Sequence, residues 1–392
     1  MYILLLSRGY SPKKFQIWGN FEMQQARILQ NAGHKVIVAC VDDRLAGNDR
    51  FLYFFQKPGF RKQTINGLPV YSCFFIPHRF AELFGFNSYT RIYEWQYAGL
   101  LKRIVKDFGI PDVIYSHYLN VNYFASILKL QFNIPVVGVE HWSEVNKVNI
   151  APRIKKMADL TYSRLDSLIC VSKPVADKIY ARFRIKAEVI NNMVDIEFSL
   201  SKKKCNDDGI VRIVTVGRLR RPKQFDNILK AIKKANLPNN SWQFNIVGGG
   251  PMMSSLKKLT SELKLSDNVR FTGMKNTNEL HQILSESDFF VLASEHETFG
   301  VVFIEAMSFG LPIIGTKCGG PESIINSNNG LLVENNNIDA LADAIKTMMI
   351  QYKSYSGESI INEVKRIYSP AVIVPQIMKV LNNAINEYGK KL

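Results

Sequence analysis

The chain has 392 residues, 46% hydrophobic and 21% charged, with a formal charge of +16. That composition excludes a disordered chain, and the length calls for two hydrophobic cores rather than one. The charge divides as +10 over residues 1–200 and +6 over 201–392. Nucleic acid, anionic lipid and small anionic substrates all answer to such a field, so charge alone does not choose among them.

The opening MYILLLSRGY has too short an apolar run and no basic flank for a signal peptide, and it reads as a buried first strand. No later run reaches the roughly 18 apolar residues of a spanning helix. A cytoplasmic protein is expected. A β-α-β rhythm follows: YILLL at 2–6, a helix over 20–32 closed by Gly33, KVIVACV at 35–41, DVIYS at 112–116, and a helix over 120–131. It continues with PVVGV at 135–139, a helix over 151–163, SLICV at 167–171, a helix from Lys173 and AEVI at 187–190. This predicts a parallel sheet covered on both faces.

At 199–209 the sequence SLSKKKCNDDG loses apolar periodicity and is assigned as a linker. The rhythm restarts with VRIVTVG at 211–217, a helix from Pro222, WQFNIVGGG at 242–250, VRFTG at 269–273, FFVLAS at 289–294 and LPIIGT at 311–316. A helix over 338–352 and another after Pro370 close the chain. In the second, Ile373, Ile377, Val380, Leu381, Ala384 and Ile385 form one apolar stripe. The fold class is therefore α/β, with two facing, doubly wound Rossmann-like domains and a ligand cleft at their strand ends. Residues 1–198 are expected to form the N-terminal domain, 199–209 the linker and 210–370 the C-terminal domain. Residues 371–392 form a helix that crosses back to pack on the N-terminal domain.

Cys40, Cys73, Cys170, Cys205 and Cys318 show no metal-ligand spacing and read as reduced thiols. No H-E-x-x-H and no D-x-D occurs, so a site for a diphosphate has to neutralise it by other means.

The strongest chemical signal is ASEHETFGVVFIEAMSFGLPIIG at 293–315. Glu297 falls in a loop and Glu305 inside the helix that starts near Gly300, with amide groups around Phe299 to Val301 between them. Carboxylates so close to an anion site suit sugar hydroxyls. Arg218 and Lys223 follow the strand VRIVTVG at its cleft-facing end. Gly248 and Gly249 begin the run GGGP, which lacks the spacing of a dinucleotide loop.

These residues closely resemble glycosyltransferase family 4, a retaining family with the GT-B fold whose mark is E-x7-E followed by A-x-x-x-G-x-P. Here that is Glu297, Glu305, Ala306, Gly310 and Pro312, with VGRL, IVGGGP, FTG, CGGPESI and GLLV in family order. The resemblance implies that Arg218 and Lys223 grip the diphosphate, Glu305 the ribose and Glu297 a hydroxyl of the transferred sugar. Gly248, Gly249 and the backbone of Phe299, Gly300 and Val301 would touch the donor. His141, in VVGVEHWSEV, matches the family histidine near the sugar, and Gly19 alone stands for the family's Gly-Gly loop.

The implied activity is metal-independent transfer of a hexose or N-acetylhexosamine from a nucleotide diphosphate sugar, with a UDP-sugar favoured over a GDP-sugar. The acceptor is a saccharide or glycolipid hydroxyl, in polysaccharide or glycoconjugate biosynthesis. No cofactor and no nucleic-acid partner is expected. A sugar-nucleotide epimerase or phosphorylase on the same scaffold, and a non-catalytic basic membrane or nucleic-acid binder, are the alternatives. Residues 79–106 mix Arg79, Arg91, Lys102, Arg103 and Lys106 with Phe80, Phe84, Phe86, Tyr89, Tyr93, Trp95 and Tyr97. That mixture suits either peripheral binding to the anionic inner face of the cell membrane or a core helix with a basic outer face.

Overall fold

The computed structural model describes residues 1–9, 20–41, 58–75, 86–146, 149–195 and 208–390. Two compact units emerge. The first gathers Met1–Val171, Ala176–Ile190 and Val374–Leu392, and the second Ser172–Val175 and Asn191–Ile373. Most of the expected linker 199–209 lies outside the described residues, as do Gly19, Arg79, Phe80, Phe84 and Cys205.

In the first unit the chain runs β1 (Tyr2–Leu6), α1 (Asn20–Asn31), β2 (Lys35–Val41), β3 (Gly59–Ile65), β4 (Leu68–Phe74), α2 (Phe86–Phe108), β5 (Val113–His117) and α3 (Leu119–Phe132). It continues with β6 (Val136–Glu140), the short α4 (Ser143–Asn146), α5 (Pro152–Tyr162), β7 (Ser167–Cys170), α6 (Lys173–Phe183) and β8 (Glu188–Val189). The eight strands order as β3-β4-β2-β1-β5-β6-β7-β8. β1, β5 and β6 are buried along their whole length, which is why they read as unbroken apolar runs: helices cover both faces of a parallel sheet.

One edge departs from the all-parallel expectation. β3 pairs antiparallel with β4, Ile65 opposite Leu68. The two-residue turn between them is Asn66–Gly67, both with positive φ (49° and 81°). Asn-Gly is the pair that most readily takes this hairpin turn, and a two-residue loop can only return the chain antiparallel.

The second unit contains β9 (Val211–Val216), α7 (Phe225–Ala235), β10 (Trp242–Val247), α8 (Met253–Glu262), β11 (Val269–Gly273), α9 (Thr277–Ser285) and β12 (Phe289–Leu292). After these come α10 (Val301–Met307), β13 (Ile313–Thr316), β14 (Gly330–Val333), α11 (Ile338–Gln351) and α12 (Gly357–Tyr368). Its strands order as β11-β10-β9-β12-β13-β14, all parallel. α7 buries Phe225, Ile228, Leu229, Ile232 and Ala235, a stripe at helical spacing that seats it on the sheet.

α13 (Pro370–Gly389) ends the chain, and from Val374 onward it belongs to the first unit. Ile377, Leu381 and Ala384 of its stripe are buried there, and Tyr388 Oη donates to Asn133 Oδ1 at 2.7 Å. Cys40, Cys73, Cys170 and Cys318 are all buried. Among the described residues no helix is long and apolar enough to cross a membrane.

α2 divides the aromatic residues of the basic segment. Tyr93 and Tyr97 are buried and stack on Phe124 with ring centroids 5.6 and 5.1 Å apart, so for them the core explanation holds. Trp95 is 54% exposed, its edge against Phe75, and Arg103 lies over Phe60 at 3.5 Å.

Candidate functional site

In the second unit the strand order reverses between β9 and β12, which lie side by side with Ile213 opposite Phe289 and Val214 opposite Phe290. The loops leaving such neighbours diverge to opposite sides of the sheet and open a crevice at their carboxyl ends. Arg218 follows β9 by two residues, and Lys223 ends a 3-10 turn, Arg221–Lys223, in the same loop. Glu297 lies in the loop after β12. The two loops are stitched together by Glu295 N–H donating to Pro222 O at 2.8 Å.

Glu297 is held on all sides. Its N–H donates to Cys318 O (3.3 Å), its carbonyl accepts from Gly320 N–H (2.9 Å), and its Oε1 accepts from the buried Ser294 Oγ at 2.8 Å and from Lys223 Nζ. The Lys223–Glu297 ion pair is largely removed from water, with side chains 28% and 11% exposed. Both glycines of CGGPESI serve this loop. Gly319 has φ 124°, and a Cβ on Gly320 would stand 2.2 Å from Phe299 O, so only a glycine lets the two chains close.

Arg218 is half-buried and its side chain has no ion pair or hydrogen bond among the described residues. Burial, and then the neighbouring Arg220, lower its pKa from the usual guanidinium value. A cation desolvated without a counter-charge is a place where an anion gains most.

Glu305 sits five residues into α10. It is half-buried, makes no side-chain hydrogen bond or ion pair among the described residues, and burial pushes its carboxyl up to about 7. Gly300 caps this helix with φ 95°. Phe299 is itself core, 1% exposed and edge-on to Tyr368, which leaves its backbone rather than its ring for a ligand. Val301 is half-buried.

The glycine run has a structural duty of its own. A Cβ on Gly248 (φ 135°) would meet Gly217 O at 1.9 Å, and one on Gly250 would meet Leu219 O at 2.5 Å. These two glycines let the β10 loop lie against the β9 loop, where Leu219 N–H donates to Gly249 O at 3.0 Å. At Gly249 the nearest atom is only the flexible Met274 side chain, at 3.0 Å.

In the first unit the strand order reverses between β1 and β5, and the carboxyl ends there gather a second polar cluster. His141, just past β6, places Nε2 3.0 Å from Nδ1 of His117, the last residue of β5. Phe21 and Tyr118 flank the His141 ring at centroid distances of 5.2 and 4.9 Å. Arg8, two residues beyond β1, lies over Tyr118 at 3.2 Å and reaches the buried Glu22 at 3.4 Å. Glu140, fully buried, accepts from Trp142 N–H and from Tyr162 Oη, each at 2.7 Å. Its carboxyl is pushed up to about 7 by burial. These bonds fix the loop that carries His141.

The structure thus joins Lys223 to Glu297, sets Arg218 and Gly248 in touching loops, and places Glu305 and the Phe299–Val301 backbone along the next helix. His141 belongs to the cluster of the first unit. Sequence reasoning missed Ser294, Arg8, His117, Tyr118 and Glu140. Each of them lies at the last residue of a strand or within two residues after it, so strand ends beside a switch point were the available signal.

Two family models match the chain, "Glycosyltransferase Family 4" over residues 23–198 and "Glycosyl transferases group 1" over residues 197–359. N-acetyl-alpha-D-glucosaminyl L-malate synthase of Bacillus anthracis is 23% identical over 285 residues, covering 66% of this chain and 74% of that protein. Among solved structures, sucrose-phosphate synthase of Thermosynechococcus elongatus superposes with a TM-score of 0.80 at 18% identity, covering 98% of this chain and 99% of the other. HepE of Anabaena in complex with UDP gives 0.73 at 19% identity, covering 98% and 100%. With both halves matched by consecutive family models and two Rossmann-like sheets in place, the chain is a glycosyltransferase of family 4 with the GT-B fold.

Proposed function

We propose that the second unit binds a nucleotide diphosphate sugar, a UDP-sugar in preference to a GDP-sugar, and that the enzyme transfers its hexose or N-acetylhexosamine to a saccharide or glycolipid hydroxyl with retention of configuration. The observation that carries this reading is Arg218, a half-buried guanidinium without a counter-charge among the described residues, in the same switch-point loop as Lys223. Bound UDP in the structural relative HepE supports the choice of base.

In this reading Arg218 and Lys223 hold the diphosphate, Glu305 the ribose hydroxyls and Glu297 a hydroxyl of the sugar, while backbone at Gly248, Gly249 and Phe299–Val301 approaches the donor. Lys223 keeps Glu297 and adds a phosphate oxygen, since an ammonium group has three donors. His141 of the first unit hydrogen-bonds a sugar hydroxyl. The acceptor oxygen bonds to the anomeric carbon as the bond from that carbon to the phosphate oxygen breaks. The departing oxygen takes the electron pair, and the acceptor's proton passes to the leaving diphosphate. Arg218 and Lys223 supply the positive charge that the leaving group needs, so no metal is required.

The test is a panel of UDP-, GDP-, ADP- and TDP-sugars, scored by thermal shift and by release of nucleoside diphosphate with and without a chelator. One donor should raise the melting temperature and turn over undiminished in chelator. An altered free sugar nucleotide as product would make the protein an epimerase, and no shift with any donor would defeat the reading. Peripheral attachment of the acceptor-side unit rests on Trp95 and Arg103 beside Phe60 and Phe75. Sedimentation with anionic but not neutral liposomes, lost in Trp95→Ala, is its check.

A further inference from the structure

His117 has no place in the reading above, yet it is fully buried in contact with the one histidine that does. Its Nδ1 lies 3.0 Å from His141 Nε2, and its own Nε2 is buried without a partner among the described residues. Both rings sit in an apolar shell of Phe21, Tyr115 and Tyr118. Burial lowers both from the usual imidazole value, with the Arg8 charge adding to it. Two neutral imidazoles at this distance share one proton across the contact, and it can sit on only one of the two facing nitrogens.

The unpartnered atom decides which. If His141 Nε2 carried the shared proton, neutral His117 would carry its own on Nε2, and a buried N–H would have no acceptor. If His117 Nδ1 carries it, Nε2 is a bare lone pair. Orphaned buried N–H groups are the rarer of the two and the costlier to keep.

We propose that His117 is a positioning residue: by donating Nδ1–H to His141 Nε2 it fixes His141 as the Nδ1–H tautomer and holds its ring in place. The inference rests on the reading that His141 meets the sugar only for its effect on rate; the tautomer itself does not. It also gives His141 a definite chemistry. With its Nε2 lone pair engaged by His117, the ring does not abstract a proton through Nε2.

Nitrogen-15 NMR of histidine-labelled full-length protein reads the tautomer directly, with His141→Gln identifying the resonances. The expected result is a protonated Nδ1 and unprotonated Nε2 at His141 in the wild type, kept in His117→Asn, whose amide N–H reaches the same position, and lost in His117→Leu. A proton on His141 Nε2 in the wild type would overturn the proposal, even if neither variant folded. So would an unchanged His141 pattern in folded His117→Leu.

In turnover, losing one orienting hydrogen bond should lower kcat about tenfold in His117→Leu with little change in KM, and His117→Asn should recover most of it. If the tautomer behaves as stated while His141→Gln leaves kcat unchanged, it is the placement of His141 at the sugar that fails, not the role of His117.

Discussion

Glu305→Gln should move the stability and the ligand response of the protein in opposite directions. Burial raises the Glu305 carboxyl from 4.5 to about 7, and every tenfold change in a proton-binding constant corresponds to about 1.4 kcal/mol. The ionised side chain therefore weakens the free protein by about 3 kcal/mol at full effect, and by about 1–3 kcal/mol once residual solvent contact is allowed for. Below about pH 4.5 the carboxyl is neutral in folded and unfolded chains and nothing is lost. Between 4.5 and 7 the unfolded chain releases its proton first, so stability falls as pH rises, and the loss is complete above about 7. Glutamine stays neutral throughout. Urea unfolding at pH 5 and pH 8 should show the ligand-free variant gaining over wild type, by less than about 1 kcal/mol at pH 5 and by about 1–3 kcal/mol at pH 8. The same variant should lose most of the thermal shift given by the donor if, as proposed, this carboxylate accepts from the ribose. A gain independent of pH would refute the desolvation argument, and a preserved thermal shift would remove Glu305 from the donor site.

Arg218→Ala should lower kcat by about a hundredfold, on the order of 3 kcal/mol of leaving-group stabilisation, with near wild-type melting temperature; full activity would exclude it from the diphosphate. Lys223→Ala leaves the Glu297 carboxylate in its low-exposure site without its cation, so stability should drop by about 2 kcal/mol, and Glu297→Gln added to it should restore part of that loss in a double-mutant cycle. Gly248→Ala should cost more than about 3 kcal/mol or abolish folding, because its Cβ would meet Gly217 O at 1.9 Å, whereas Gly249→Ala meets only the movable Met274 side chain. Equal melting temperatures for the two glycine variants would contradict the geometry.

The parallel core was readable because its strands are buried on both faces and stand out as apolar runs, as in VIVAC of β2 and FFVL of β12. β3 and β4 were not: GFRKQTI is a half-exposed edge strand with little apolar signal, and LPVYSCF follows it directly, so the Asn66–Gly67 turn was the clue to both. α12 was also missed, although Ser356 caps it and Ile360, Ile361, Val364 and Tyr368 recur at helical spacing. The candidate site was legible where residues recur at fixed separation, as with Glu297 and Glu305. It was illegible where contact joins distant segments: nothing in the sequence links Lys223 to Glu297 or His117 to His141, which meet only because parallel strands bring their carboxyl ends to one edge. The triple glycine conveyed close approach but not to what, and backbone of the neighbouring loop is what Gly248 and Gly250 meet.

The last helix gives the first unit an unusual history. Val374–Leu392 completes a body whose other parts end at Ile190, and the Tyr388–Asn133 bond spans 255 positions. During synthesis, the first unit must therefore wait, with the surface that will take Ile377, Leu381 and Ala384 uncovered, while the entire second unit is made and folds. The later unit has every segment it needs before the earlier one does. Maturation in the cell should thus run from the second unit toward the first, and chains stalled before α13 should present chaperones with an open apolar face on the first unit alone.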